Sequence, residues 1–182
     1  MPKIQIIAFR GTGGFYNPKY QSLPGLLKAG HVGFKFEDDP IIYGFHPSSK
    51  AEEQAGGEDK LLEALLSHEP QEGVLQDDTA IFVQAYQKHQ TGERTKVWVL
   101  EQSVSDDEYQ KIKQETMQWY NSGKVFMYNL PQRDGTFNEN EYNCAVFPKL
   151  LNITIPLDNG KVYEYIEKMI ELGASEWQPT QD

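Results

Sequence analysis

The chain lacks what several large classes of protein need. It has a single cysteine in 182 residues, so no internal disulfide can form and no oxidising compartment is implied. No apolar run approaches the ~20 residues of a membrane-spanning helix. Basic residues are scarce: 17 Lys and Arg stand against 27 Asp and Glu, a formal net charge of -10. Nucleic acids and anionic membranes both ask for a basic surface, so neither is an expected partner. No His/Cys cluster has the spacing of a metal site, and "RGTGG" at 10–14 lacks the lysine of a phosphate loop; neither metal nor cofactor is expected. The N-terminal apolar run "IQIIAF" is too short for a signal-peptide core and meets Arg10 instead of a cleavage site. The expectation is a protein made in the cytosol, with delivery by a specialised secretion route left open.

What is present suits one globular domain over residues 1–182. Hydrophobic residues make up 38% and aromatics 12%, enough to build a core. Residues 3–9 read as a strand, followed by a Gly-rich turn and a short helical piece around "PGLLKAG". "HVGFKFE" and "IIYGFHP" alternate in the manner of strands. "SSKAEEQAGGE" (48–58) reads as a surface loop and "DKLLEALLSH" as an amphipathic helix. "TAIFVQAYQ" and "TKVWVLEQSV" read as two strands of a hairpin around "TGER". Ser105, three acids in the first turn and Gly123 mark the ends of a long helix. "KVFMYNL" is a further strand, the Cys144 segment a further helix, and "GKVYEYIEKMIELG" the last one. The tail "SEWQPTQD" reads as loose. The sum is an α+β chain, a mainly antiparallel sheet or partial barrel with packed helices.

The lone cysteine, Cys144, stands in "NENEYNCAVFPKLL", where a polar loop gives way to an apolar run. A helix N-terminus there would favour the thiolate, the nucleophilic form. Pro148 interrupts this, because it lacks the N–H that would bond the Cys144 carbonyl. A buried, inert thiol is the alternative. Among four histidines, His68 ends a helix and His89 falls in a linker. His31 and His46 end adjacent strands. If residues 37–40 form the hairpin loop, Phe34 faces Tyr43, Gly33 faces Gly44 and His31 faces His46. Val32, Phe34, Phe36, Ile41, Tyr43 and Phe45 then share one apolar face. The two glycines leave room for another group to approach the histidines. Asn143 is a candidate oxyanion donor or a cap for the following turn. The acid pairs Asp38–Asp39 and Asp77–Asp78 read as solvated turn residues.

"GHVGFKFEDDPIIYGFHP" followed downstream by "KVFMYNL" and "NENEYNCAVFPKLLNITIP" resembles the circularly permuted papain-like hydrolases of the NlpC superfamily, in which the histidine strand precedes the cysteine helix. The group includes lecithin retinol acyltransferase-like enzymes and bacterial permuted amidases. The resemblance implies Cys144 as nucleophile and His31 as base, with His46 orienting His31 and Tyr43 a competitor for that third place. Asn143 and Tyr43 fall beside the substrate. It covers the His31–Pro47 hairpin and residues 124–156, leaving about 48–123 as an unmatched insertion. The implied activity is that of a thiol hydrolase or acyltransferase acting on an amide, ester or thioester in a small-molecule, peptide or lipid-type substrate. A non-catalytic binding module on the same fold is the alternative.

Overall fold

A computed structural model describes residues 1–11, 30–90 and 96–180. The chain is α+β; among the described residues five helices pack on a mixed, strongly curled half-barrel of eight strands. The strands are β1 (Lys3–Phe9), β2 (His31–Phe36), β3 (Tyr43–Pro47), β4 (Gln71–Asp77), β5 (Val97–Ser103), β6 (Phe126–Tyr128), β7 (Glu141–Tyr142) and β8 (Ser175–Glu176). Their spatial order is β7-β6-β4-β3-β2-β1-β5-β8. All pairs are antiparallel except β6 with β7.

β1 lies near the middle of this order, between β2 and β5. It is buried on both faces, which accounts for its almost unbroken apolar sequence. Ile4, Ile6 and Ala8 join the larger core together with Val32, Phe34, Phe36, Tyr43 and Phe45. Ile7 and Phe9 point the other way, into a second cluster with Ile42, Phe82, Val97 and Val99. The β2–β3 pairing has Gly33 opposite Gly44 and Phe34 opposite Tyr43, the register that alternation demands.

The helices are α1 (Ser49–Ala55), α2 (Glu58–Leu66), α3 (Thr79–Gln90), α4 (Asp106–Ser122) and α5 (Val162–Glu171). Several depart from the sequence reading. Residues 48–58 are not a loop: Ser48 caps α1 by accepting from the Ala51 N–H, and Gly56 closes it in the left-handed region. "TAIFVQAYQ" is helix α3, not a strand. Its β-branched and aromatic residues gave a strand signal, yet Asp78, Phe82 and Ala85 are buried at intervals of four and three, a helical stripe. His89 therefore lies in α3, while "TGER" and all of "PGLLKAG" but Gly30 fall outside the described residues. β4 and β7 were missed. β4 is too polar to announce itself, but it bridges β3 and β6. With β5 on β1, it makes residues 48–123 an integral part of the sheet, not an appendage. The tail is not loose: β8 pairs with β5, and Trp177 packs edge-on against Phe82 and Tyr86.

α4 has the ends foreseen for it. Ser105 and Glu108 form a reciprocal capping box and Gly123 closes the helix at φ 62°. Ser105→Ala is expected to lower unfolding free energy by about 1 kcal/mol, read as a lower urea midpoint at unchanged slope.

Candidate functional site

The site begins with His31, the first residue of β2, whose side chain is fully buried. Phe9 and Phe82 pack against its ring, with centroids 6.4 Å and 5.7 Å away. Its Nε2 lies 2.6 Å from Asp78 Oδ2, and the other oxygen, Oδ1, lies 2.9 Å from Nε2 of His46. One carboxylate thus serves two imidazoles. His31 and His46 are neighbours, with ring centroids 6.0 Å apart, but they are joined through Asp78 rather than to each other.

Asp78 corrects the sequence reading, which took it for a solvated turn acid. It is 1% exposed. The backbone around it explains why it is fixed. Its N–H donates to the Ile42 carbonyl, and the Ile42 N–H donates to Thr79 Oγ1. Asp77 takes the exposed duty, accepting from the Thr79 N–H and hydroxyl. The start of α3 is therefore bound to the lead-in of β3, and the Asp78 side chain is directed over Gly44. A Cβ on Gly44 would collide with the Asp78 carboxylate and stand 2.7 Å from His31 Nε2. The room beside the paired glycines is where Asp78 sits. Reading 79–90 at helical period would have placed Asp78 at a helix start, the one sequence signal for it.

Charge follows from this geometry. Burial alone would raise the Asp78 carboxyl and lower His31. Hydrogen bonds from both imidazoles reverse the first, holding Asp78 well below the usual carboxylate range. The charge of Cys144 and the hydrogen bond to Asp78 reverse the second, and His31 is pushed up to about 10. With Asp78 ionised, both histidines donate their Nε2–H to it. Raised to about 10, His31 carries a proton on Nδ1 as well at neutral pH, and Nδ1 is buried with no partner in hydrogen-bonding geometry.

Cys144 is 5% exposed and belongs to the larger core. It is not at the start of an α-helix. The Phe147 N–H reaches the Asn143 carbonyl at 3.1 Å, and the chain then runs into a 3₁₀ helix, Phe147–Leu151. Pro148, in its first turn, is the cause: without an N–H it cannot extend an α-helix across Cys144. A dipole of the expected kind is therefore missing, and the thiol's electrostatic partner is His31. Phe147 anchors the segment, stacking on Phe45 at 4.2 Å and meeting Phe126 edge-on at 5.1 Å.

Asn143 and Tyr43 take structural places. Asn143 Oδ1 accepts from the Ala145 and Val146 N–H groups, and its Nδ2 donates to the Gly160 carbonyl at 2.8 Å. It is a cap, with one of its two amide hydrogens given to Gly160. Tyr43 stacks on Phe34 in the apolar core and gives its hydroxyl to Asp39 Oδ2 at 2.7 Å. It faces away from His31 and does not orient it. Among the described residues the Cys144 N–H donates to no protein acceptor. Also among them, no group of three or more His, Cys, Asp or Glu side chains is arranged to hold a metal ion, and no helix is long and apolar enough to cross a membrane.

Comparisons of the chain with models of protein families, with curated proteins and with solved structures returned no match.

Proposed function

We propose that the chain is a cysteine-dependent hydrolase or acyltransferase of the permuted papain-like kind, acting on an amide, ester or thioester carbonyl. The observation that carries this reading is the buried line of groups formed by Cys144, His31 and Asp78. A fully buried imidazole held by a carboxylate through Nε2, with a thiol near enough for its charge to raise it, is an arrangement suited to a nucleophile and its oriented base. In this scheme His31 Nδ1 holds the Cys144 proton as an imidazolium–thiolate pair, and Asp78 stabilises the imidazolium. The thiolate adds to the substrate carbonyl carbon, and the Cys144 N–H supports the oxyanion. The bond to the leaving nitrogen, oxygen or sulfur breaks as Nδ1–H protonates it, leaving an acyl-enzyme. Water or another acceptor gives its proton back to His31 as it attacks, and the thiolate departs. His46 acts through Asp78, holding the second carboxylate oxygen. The substrate is a small-molecule, peptide or lipid-type acyl compound.

The test is iodoacetamide alkylation of Cys144 across pH, in the wild type and in His31→Gln, whose amide keeps a donor for Asp78 without supplying a base. The wild-type rate should rise well below the ~8.5 of a free cysteine, and the variant should lose that shift. Equal profiles in both proteins would sink the catalytic reading.

A non-catalytic binding module has one observation in its favour, the burial of Cys144 and His31. It predicts a thiol without the fast reaction at low pH that an enzyme needs.

A further inference from the structure

Among the described residues, three buried side-chain atoms have no hydrogen-bond partner: Arg10 Nε, His31 Nδ1 and the Tyr165 hydroxyl. His31 Nδ1 belongs to the scheme above. Tyr165 does not, and a buried hydroxyl left unmatched costs ~1–3 kcal/mol that a phenylalanine at the same place would avoid. Tyr165 is 0% exposed, on a helix whose Ile166 and Met169 are equally buried.

The placement of α5 says where that hydroxyl lies. Its start lies against both sides of the site. The Gly160 carbonyl, just ahead of the helix, accepts from Asn143, the neighbour of Cys144. Val162, three residues before Tyr165 and so on the same helix face, stands with Cγ1 3.2 Å from where a Cβ on Gly30 would be. Gly30 precedes His31. Tyr165 and Cys144 share one core cluster. Burial raises the Tyr165 phenol well above its usual range, and the charge of Cys144 raises it further. The phenol is thus a neutral donor throughout the working pH range, within electrostatic reach of the thiol.

We propose that the Tyr165 hydroxyl is the side-chain hydrogen-bond donor to the oxyanion that forms when Cys144 adds to an acyl carbonyl. The inference rests on the thiol acyl-transfer reading. Asn143 is held in place by its own turn and by the Gly160 carbonyl, whereas the Tyr165 hydroxyl has no bond to give up. The unmatched hydroxyl is the expected form of a preorganised donor: its acceptor exists only once the carbonyl oxygen has gained charge.

Two electrophiles separate this role from others. Iodoacetamide reacts at a saturated carbon, so no oxyanion forms. 4-Nitrophenyl acetate acylates the thiol through a tetrahedral oxyanion and releases 4-nitrophenolate. In Tyr165→Phe, the rate of the nitrophenolate burst should fall on the order of 10²-fold. The alkylation rate and its pH midpoint should stay at wild-type values. The melting temperature should hold or rise, because no bond is lost. An unchanged burst overturns the inference and leaves the Cys–His reading standing. Equal losses in both reactions, or a lowered melting temperature, also overturn it, by showing that the hydroxyl serves the thiolate or the fold. A wild type that alkylates at low pH but gives no burst removes Tyr165 from acyl transfer alone. A wild type with neither reaction removes the underlying reading with it.

Discussion

Asp78→Asn will slow acylation of Cys144 by 4-nitrophenyl acetate by roughly 10⁴-fold, the loss seen when a triad carboxylate becomes an amide. The cause is the state of the two rings. Asp78 accepts from Nε2 of His31 and Nε2 of His46 at once, at 2.6 Å and 2.9 Å. An amide has one acceptor and one donor end, so it can serve only one of the two imidazoles in its present state. If the NH₂ faces His31, the ring must present a bare Nε2 and move its proton to Nδ1, where it can no longer act as base. If the NH₂ faces His46, the His31 tautomer survives but the charge that steadies its imidazolium is gone. His46→Gln should be far milder, because the glutamine amide can still donate to Oδ1. Comparable losses in the two variants would mean that Asp78 is scaffolding.

The same substitution reshapes stability against pH. The stabilisation from protonated His31 is fully present below its ordinary 6.5 and is lost as pH rises toward about 10. That from ionised Asp78 is present above its ordinary 3.8 and is lost as pH falls below it. Wild-type stability should therefore be flat between these ordinary values and decline on both sides. Asp78→Asn should flatten the acid limb and weaken the alkaline one. Urea midpoints from pH 3 to 10 would show it, and an unaltered acid limb would exclude Asp78 as its source.

Gly44→Ala should be the most damaging single methyl addition in the sheet. Its Cβ would occupy the position of the Asp78 carboxylate, with His31 Nε2 2.7 Å away. Either β3 shifts, straining its pairing with β2 and β4, or the carboxylate swings off His31 and stays buried without a partner. Breaking a buried ion pair from one side costs about 3–5 kcal/mol, and the loss should appear in both the urea midpoint and the Cys144 alkylation profile. In an Asp78→Ala background the same methyl should cost much less, and that non-additivity is the check. Equal costs in both backgrounds would place the clash elsewhere.

These two residues also show what the sequence discloses and what it hides. The β2–β3 register was legible because a slip by one residue would turn Val32, Phe34 and Phe36 out of the core. The ends of α4 were legible because caps are local chemistry. Asp78 was not. It is identical in kind to Asp77 beside it, yet one is exposed and the other 1% exposed. Only the start of α3 separates them, and α3 was obscured by residues that suit strands equally well. Likewise β4 and β8 are made by their neighbours: polar residues become strand where a paired edge is waiting. The Cys144 turn lay between these cases, since Pro148 signalled an interrupted helix but not the 3₁₀ geometry that replaced it.

Both rims of the half-barrel end in two-residue strands, β7 and β8. A rim that short offers another chain almost no row of free backbone groups to zip onto. The long strands β1 and β2, with the most continuous apolar sequence, are sealed between partners on both sides. A curled sheet of this size carries an inherent risk of edge-to-edge polymerisation, and here that risk is held to two dipeptides. Crowded solutions should therefore hold dispersed particles instead of fibrils, with a surface charge of -10 adding mutual repulsion.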